Sequence, residues 1–400
     1  MDLFAKCLRD DRAEIVKAMG IYPYFQEIEE NHGALVKIRG REVIMAGSNN
    51  YLGLTTHPEV VAAAQKAVAE FGTSCSGSRF LNGNLVLHGA LEEELADFLG
   101  LESCLLFTSG FLTNQGIIPT IVHRHEYLIS DKENHASIVA GTLIAKAMAA
   151  EIKRYRSNDM ENLETVLRQI PADASKLIVS DGVFSMSGSV VRLPELARLA
   201  GAYGARLLID EAHSIGVLGE GGRGICSHYG LRNGRDVDLV MGTFSKAFAS
   251  LGGFVAGPRV VTEYIKHNSQ ALIFSASMPP ANVAAAHAAL RIIRREPERV
   301  RRLAENARYV RRGLRDLGLQ IPDDPTPIIP VVIGEDIKTF RFCRRLLEEG
   351  VFVNPVVSPA VPQGQQLIRS FFMATLEKHH LDRVLDAFAK VGREFGLVRP

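Results

Sequence analysis

Two short segments in the middle of the chain carry residues whose types and spacing suit acid–base and covalent chemistry. Asp210 ends the apolar run RLLI, and His213 follows three residues later. Lys246 follows the apolar run LVM, and Thr243 and Ser245 stand just before it. A carboxylate at the end of a buried strand has a raised pKa unless a cation meets it. A lysine in such a pocket has a lowered pKa and can condense with an aldehyde.

One cofactor supplies both partners. Pyridoxal phosphate offers a protonated pyridine nitrogen to Asp210 and an aldehyde to Lys246, and the flanking hydroxyls and glycines suit its phosphate. The turn TSGFLTNQG at 108–116 leads into a predicted helix, whose first N–H groups are a good phosphate cradle. His135, in DKENHAS, could stack on a planar ring. Singly, these residues have ordinary alternatives, namely a helix cap, a surface lysine and a partly buried histidine. Together they indicate this cofactor.

Three other motif matches are weaker. The string DEAH at 210–213 is typical of helicases, but the chain contains no Gly-Lys pair for the phosphate loop that a helicase needs. The pattern GxGxxG at 219–224 does not open a helix near the chain start, so a tight loop is the better interpretation. His123 and His125 stand without an HExxH motif, and we expect no metal site.

Composition restricts the class of protein. The chain has 400 residues, of which 46% are hydrophobic and 23% charged, with a formal net charge of +1. These values are typical of a soluble globular protein, and the absence of a basic excess argues against nucleic-acid binding. Five cysteines without CxxC spacing favour reduced thiols in the cytoplasm over a disulfide scaffold. We expect neither a signal peptide nor a membrane helix, and peripheral membrane contact stays open.

Short apolar runs alternate with helical stretches through the central region. This alternation predicts an α/β layer with a mainly parallel sheet flanked by helices, and ligands at the carboxyl ends of its strands. We predict an N-terminal arm and small hairpin over 1–45, a large cofactor-binding domain over 46–285, and a smaller α+β domain over 286–400. One long helical stretch is expected over 282–316.

Longer segments around these residues resemble the α-oxoamine synthases, which are fold-type I pyridoxal phosphate enzymes that condense an amino acid with an acyl-CoA and release carbon dioxide. The resemblance covers nearly the whole length and includes GSNNYLGL, TSGFLTNQG, DKENHASIV, DEAHSIGVLGEGGRG and FSASMPP. The segments GSRFLNG, TFSKAFASLGGF and VNPVVSPAVP are most similar to the bacterial serine palmitoyltransferase branch. The resemblance implies a large domain with a mainly parallel sheet, a smaller α+β domain, and a homodimer with active sites at the interface.

The resemblance also implies residue roles. Lys246 binds the aldehyde carbon and acts as the base at Cα, while Asp210 faces the pyridine nitrogen. His213 bonds the phenolic oxygen of the ring, and His135 stacks on the ring and orients the substrate. The remaining residues bind the two anionic groups: Gly110, Phe111, Thr243, Ser245 and the neighbouring subunit's copy of Ser275 for the phosphate, and Asn50, Ser78 and Arg369 for the amino-acid carboxylate.

The substrates implied are L-serine and a long-chain acyl-CoA such as palmitoyl-CoA, which give a 3-ketodihydrosphingosine-type aminoketone, the first step of sphingolipid synthesis. The alternative is a sister activity with alanine or glycine, such as that of 8-amino-7-oxononanoate synthase or 2-amino-3-ketobutyrate CoA ligase. A non-catalytic protein on the same fold is disfavoured because Lys246 is retained. One departure bears on the substrate: Phe371 and Phe372 follow Arg369 closely, where relatives carry a small polar residue.

Overall fold

The computed structural model describes residues 2–398. Its helices are α1 (Ala5–Arg9), α2 (Arg12–Ala18), α3 (Pro58–Phe71), α4 (Val86–Leu99), α5 (Gly110–Ile121), α6 (Ala136–Ala147), α7 (Met160–Arg168), α8 (Leu193–Ala202), α9 (Ile225–His228), α10 (Arg259–Asn268), α11 (Gln270–Ile273), α12 (Pro280–Arg295), α13 (Glu298–Asp316), α14 (Asp336–Glu348) and α15 (Lys378–Glu394). Its strands are β1 (Glu30–Asn31), β2 (Leu35–Ile38), β3 (Arg41–Met45), β4 (Ser103–Phe107), β5 (Tyr127–Asp131), β6 (Glu151–Tyr155), β7 (Lys176–Asp181), β8 (Arg206–Asp210), β9 (Leu239–Thr243), β10 (Gly253–Gly257), β11 (Ile328–Val332), β12 (Val351–Phe352), β13 (Asn354–Val356) and β14 (Leu367–Phe371).

These elements form two compact units. The larger unit comprises Asn49–Ala304 and Asp324–Pro327, and the smaller unit joins the chain up to Ser48 with Glu305–Asp323 and the part from Ile328 onward. The predicted border near residue 286 lies inside α12, whereas the border in the structure lies later, within α13. The physical reason is that α12 packs along α3 and so belongs to the larger unit. Within residues 2–398, no helix is both long and apolar enough to cross a bilayer.

A seven-stranded sheet lies at the centre of the larger unit, in the order β4-β10-β9-β8-β7-β5-β6. Its strands run parallel except β10, which is antiparallel to both β4 and β9. The strands β7, β9 and β10 are buried at every residue, which is the expected result of covering both faces of a parallel sheet with helices. The predicted α/β layer with a mainly parallel sheet is therefore confirmed.

Two helices begin at the edge of this sheet where its parallel strands end. Helix α5 begins after Ser109, whose hydroxyl accepts a hydrogen bond from the N–H of Leu112 at 3.2 Å. Helix α6 begins after His135, whose Nδ1 accepts from the N–H of Ser137 at 3.3 Å. Such caps satisfy N–H groups that have no partner within the helix. Both helix starts therefore contribute residues to the strand-end edge, where the site was predicted.

The smaller unit contains a four-stranded sheet, β1-β2-β3-β12, and a three-stranded antiparallel sheet, β11-β14-β13. The hairpin β2–β3 turns at Arg39 and Gly40, with φ of 51° and 69°, as a two-residue hairpin turn requires. The core of the smaller unit includes the fully buried rings of Phe342, Phe372 and Phe388. The unit therefore mixes helices with largely antiparallel strands, in keeping with an α+β composition.

The helical stretch expected over 282–316 is two helices. Helix α12 ends at Arg295 and α13 begins at Glu298, with Pro297 between them. Proline has no N–H to donate and its ring clashes with the preceding turn, so it kinks or breaks a helix, and here one helix ends before Pro297 and the next begins after it. Apolar periodicity continues across the break, and the prediction followed the periodicity rather than the proline.

Candidate active site

Asp210 ends β8 as a buried carboxylate, with 4% of the residue exposed. Its Oδ2 accepts a hydrogen bond from Asn114 Nδ2 at 2.8 Å, and its Oδ1 accepts from the N–H of Ala212 at 3.0 Å. Asn114 is itself fully buried on α5. These bonds fix the carboxylate in one orientation at the end of the strand.

Asp181 ends the neighbouring strand β7 and is the direct register partner of Asp210. Only 5% of the residue is exposed. Burial, followed by the charge of Asp210, raises the pKa of Asp181 well above the usual carboxyl value, while the N–H of His135 and the charge of Lys246 oppose that rise. The strand ends thus bring a second carboxyl group, which the sequence reasoning did not select, into the same place.

Hydrogen bonds fix both the backbone and the ring of His135. Its N–H donates to Asp181 Oδ2 at 2.9 Å, and its Nδ1 lies 2.8 Å from the hydroxyl of Ser137. Because Nδ1 also accepts from the N–H of Ser137, the hydrogen-bond pattern assigns the ring proton to Nε2. With Nδ1 as the acceptor, His135 can donate a hydrogen bond through Nε2.

His213 is held by a residue that is distant in the sequence. Its Nδ1 lies 2.7 Å from the hydroxyl of Tyr51, a residue that is fully buried. The two rings meet edge to face, with centroids 6.1 Å apart. A buried tyrosine hydroxyl that finds such a partner locks the imidazole in place.

A cluster of small residues forms the floor beside these groups. Thr243 Oγ1 lies 2.9 Å from Ser245 Oγ and donates to the carbonyl of Gly252 at 3.1 Å. A Cβ at Gly110 would lie 2.7 Å from Thr243 Oγ1, so only glycine fits there. The N-terminal turn of α5 and these hydroxyls can therefore approach one anionic group closely.

One cavity of about 270 Å³ joins these features. The predicted residues that line it are Gly110, Phe111, His135, Asp210, His213, Thr243, Ser245 and Lys246, and Asp181 and Ser137 line it too. Lys246 is partly buried. A buried carboxylate, an amine, an imidazole and an anion cradle on the walls of one cavity are the donor set that pyridoxal phosphate needs, so the residues present fit this cofactor.

The other predicted residues of the larger unit lie elsewhere. The amide of Asn50 bonds within its own turn, accepting from the N–H of Leu54 at 3.0 Å and donating to Thr55 Oγ1 at 2.8 Å. Ser78 is buried in the loop after α3, and its hydroxyl has no hydrogen-bond partner among the residues that the structure describes. Ser275 lines a small neighbouring cavity rather than the main one.

Arg369 belongs to the smaller unit, on β14. Its guanidinium lies over the ring of Phe371, 4.7 Å from the centroid. Phe372 follows the last residue of β14 and packs into the core of the unit. Of the two rings that depart from the expected motif, one thus supports the arginine and the other fills the core.

The sequence reasoning missed Tyr51, Asn114, Ser137 and Asp181. The first three are recognisable only from contacts between distant parts of the chain. Asp181 did have a signal, because it ends an apolar run in the same way as Asp210.

Comparisons with known proteins identify the family of this chain. Residues 41–388 match the family model for aminotransferase class I and II. The chain is 45% identical to the serine palmitoyltransferase of Sphingobacterium spiritivorum, over 96% of this chain and 94% of that protein. It is 42% identical to the 8-amino-7-oxononanoate synthase of Symbiobacterium thermophilum, over 96% and 97% of the two chains.

A solved structure of serine palmitoyltransferase with pyridoxal phosphate as its internal aldimine superposes with a TM-score of 0.95 at 34% identity, and all of both chains is covered. This likeness confirms the expected fold-type I architecture. The chain therefore belongs to the aminotransferase class I and II family and, within it, to the α-oxoamine synthases that include the serine palmitoyltransferases.

Proposed function

We propose that this chain condenses L-serine with a long-chain acyl-CoA thioester such as palmitoyl-CoA, with pyridoxal phosphate as cofactor. The products are 3-ketodihydrosphingosine, free CoA and carbon dioxide, as in the first step of sphingolipid synthesis. The observation that carries the proposal is that Asp210, Lys246 and the start of α5 line one cavity. The similarity to serine palmitoyltransferases over nearly the full length supports the choice of substrates.

The chain's own residues would hold the cofactor at four points. Asp210 would pair with the ring nitrogen, His213 with the ring oxygen and Lys246 with the aldehyde carbon. The N–H groups of Gly110 and Phe111 and the hydroxyls of Thr243 and Ser245 would bind the phosphate. When bound, pyridoxal phosphate supplies an electron sink that stabilises negative charge at the amino-acid Cα.

Three main residues, with two assisting ones, would then bind and deprotonate the amino acid. Lys246 takes the proton from Cα, because its partly buried amine lines the same cavity as Asp181 and Asp210 and can act there as a general base. His135 donates from Nε2 to the carboxylate of the amino acid and so orients it. Arg369 would grip the same carboxylate with its planar guanidinium, with Asn50 and Ser78 as assisting residues.

We also propose that the chain works as a homodimer in which Ser275 serves the phosphate of the neighbouring subunit. The segment around Ser275 is unusually apolar for a surface. Phe274 is 83% exposed, and Leu81 in the loop before α4 and Val86 at the first residue of α4 are 78% and 76% exposed. The N–H of Ser277 donates to the carbonyl of Gly77, which joins the two segments. An exposed apolar patch of this kind marks a protein–protein contact.

A second candidate function is the condensation of alanine with a shorter thioester, because 8-amino-7-oxononanoate synthases are nearly as similar to this chain. A serine hydroxyl and an alanine methyl make opposite demands on the pocket. A site that pairs with the hydroxyl rejects the analogue that lacks it.

Spectral titration of the yellow holoenzyme with serine, alanine and glycine tests the proposal, followed by mass analysis of the products from acyl-CoAs of several lengths. We expect serine to give saturable spectral change and the C16 thioester to give the aminoketone. Tight binding of alanine with no response to serine would move the assignment to the sister activity.

For location, we propose the cytoplasm. The five cysteines are all free thiols, and free thiols are typical of a reducing compartment.

A further inference from the structure

Asp181 lines the active-site cavity beside Asp210 but has no part in the roles described above. We propose that Asp181 is a positioning residue that fixes His135 at the cavity wall by binding its backbone N–H. The inference rests on the proposed function for the role of His135 in orienting the amino acid. It adds Asp181 as a residue on which amino-acid binding depends.

The contacts of Asp181 bind the loop before α6 to the end of β7. Its Oδ2 accepts from the N–H of His135 at 2.9 Å, and its own N–H donates to Asn134 Oδ1 at 2.9 Å. Asn134 Nδ2 in turn donates to the carbonyl of Val179 at 2.9 Å and to Ser130 Oγ at 3.0 Å. Two successive residues of the loop, 134 and 135, are thus hydrogen-bonded to one strand end.

The same contacts belong to a ring of hydrogen bonds, and four of its members, His135, Ser137, Asp181 and Asp210, line the cavity. His135 Nδ1 meets Ser137 Oγ, which accepts from Asn114 Nδ2 at 2.9 Å. Asn114 Nδ2 also donates to Asp210 Oδ2, and the carbonyl of Asp210 accepts from the N–H of Gly182 at 2.8 Å. The ring therefore sets the position of the His135 imidazole relative to the Asp210 carboxylate, and Asp181 is the member that holds the His135 backbone.

An acceptor oxygen is needed at this position for a physical reason. His135 is the residue that precedes the twelve-residue helix α6, and N–H groups at a helix start have no acceptor within the helix. The carboxyl group of Asp181 supplies that acceptor to the backbone N–H of His135.

A rival role for Asp181 is electrostatic, because the charge of Lys246 acts on the Asp181 carboxyl group and lowers its pKa. The two roles respond differently to substitution. Asp181→Asn keeps an oxygen that can accept from His135 but removes the ionisable group, whereas Asp181→Ala removes both. A positioning role therefore predicts rescue by asparagine, and an electrostatic role predicts that both variants fail alike.

Hydrogen–deuterium exchange of the holoenzyme, followed in peptides that cover residues 131–145, measures the positioning directly. For Asp181→Ala we expect exchange at the start of α6 to be faster by about tenfold, since the backbone N–H of His135 loses its acceptor. The serine dissociation constant from spectral titration should rise by about tenfold, with the KM for acyl-CoA unchanged. Asp181→Asn should stay near the wild type in both measurements.

Asp159→Ala is the matched control. Asp159 Oδ1 accepts from the N–H of Asn162 at the start of α7, so its loss removes a similar bond at a residue that does not line the cavity. It should leave the 131–145 peptides and serine binding unchanged. Unchanged exchange in Asp181→Ala, or equal defects in the alanine and asparagine variants, would overturn the proposal. If the wild type fails to bind serine, the substrate assignment fails instead, and the exchange measurement still decides the role of Asp181.

Discussion

The partly buried amine of Lys246 lines the same cavity as Asp181 and Asp210. Lys246→Ala should abolish the visible absorbance of covalently bound cofactor and lower turnover by about a thousandfold or more, because the nucleophile and the proton carrier are both lost. Absorbance spectra and product assays measure the two effects. The surface variant Lys266→Ala, which removes an ion pair with Glu263, should behave as the wild type. An active Lys246→Ala enzyme would remove Lys246 from the mechanism.

Substitution of Arg369 tests the recognition of the amino-acid carboxylate. Arg369→Ala should raise the serine dissociation constant by about tenfold or more and leave cofactor affinity nearly unchanged, because a charge-assisted pair is lost only to the amino acid. Arg369→Lys should recover only part of the binding, since an ammonium group cannot form the bidentate pair. Spectral titration gives the serine affinity, and reconstitution of the apoenzyme gives the cofactor affinity. Equal loss of both affinities would contradict the assignment.

At the residue scale, sequence predicts best the groups whose neighbours along the chain explain them. Asp210 and Lys246 each follow an apolar strand, so their place at the sheet edge follows from the local pattern. Tyr51 bonds His213 from 162 positions away, and Asn114 bonds Asp210 from 96 positions away. Such partners are chosen by the tertiary fold, and no local spacing indicates them.

At the element scale, the loop GEGGRG at 219–224 explains the dinucleotide-like motif. The carboxylate of the fully buried Glu211 accepts hydrogen bonds from the N–H of Ile225 at 2.9 and 3.0 Å, and from Ser214. A Cβ at Gly224 would lie 2.5 Å from Glu211 Oε2, and φ there is +94°. The glycines thus wrap the backbone around a carboxylate of the chain itself.

Gly224→Ala should lower the free energy of unfolding by about 3 kcal/mol, because it adds a steric clash to a backbone conformation that only glycine adopts readily. Gly221→Ala is the control: φ is +59° and nothing lies within 4 Å of its added Cβ, so about 1 kcal/mol is expected. Urea unfolding of both variants measures the difference. Equal losses would mean that the contact with Glu211 does not constrain the loop.

The start of α4 gives a pH-dependent prediction. His88 is fully buried, its Nδ1 accepts from the N–H of Leu85 at 3.0 Å, and burial and the charge of Arg79 lower its pKa to about 4. In the unfolded chain a histidine titrates near 6.5, so the unfolded state binds the proton first as pH falls. The contribution to stability is complete above pH 6.5 and is lost as pH falls towards 4.

Between pH 7.5 and pH 5 this linkage should lower the free energy of unfolding by about 2 kcal/mol. His88→Gln keeps a side-chain acceptor at the capping position and does not titrate. Urea unfolding at both pH values should therefore show a smaller loss in His88→Gln than in the wild type. Parallel losses in the two proteins would assign the acid sensitivity to other groups.

For the whole molecule, the fold class followed from the alternation of strands and helices, because each strand of a parallel sheet that is buried on both faces reads as a short apolar run. The division into units did not follow, since α12 reads as the start of a C-terminal domain but packs on α3. The continuous helix expected over 282–316 was wrong because Pro297 interrupts it. Periodicity along the chain reports which face is apolar and not which neighbour that face will meet.

Dimerisation is the prediction that belongs to the molecule as a whole. The wild type should sediment at twice 43.8 kDa, because the proposed dimer would cover the exposed apolar side chains of Phe274, Leu81 and Val86. Phe274→Asp should give a species of the monomer mass, since an unpaired charge buried in an interface costs several kcal/mol. Its affinity for pyridoxal phosphate should fall as Ser275 of the neighbour is withdrawn. Val260 is 77% exposed and lies in the first turn of α10, just after β10 ends. Val260→Asp should remain dimeric. A wild type of the monomer mass with full activity would refute the shared active site.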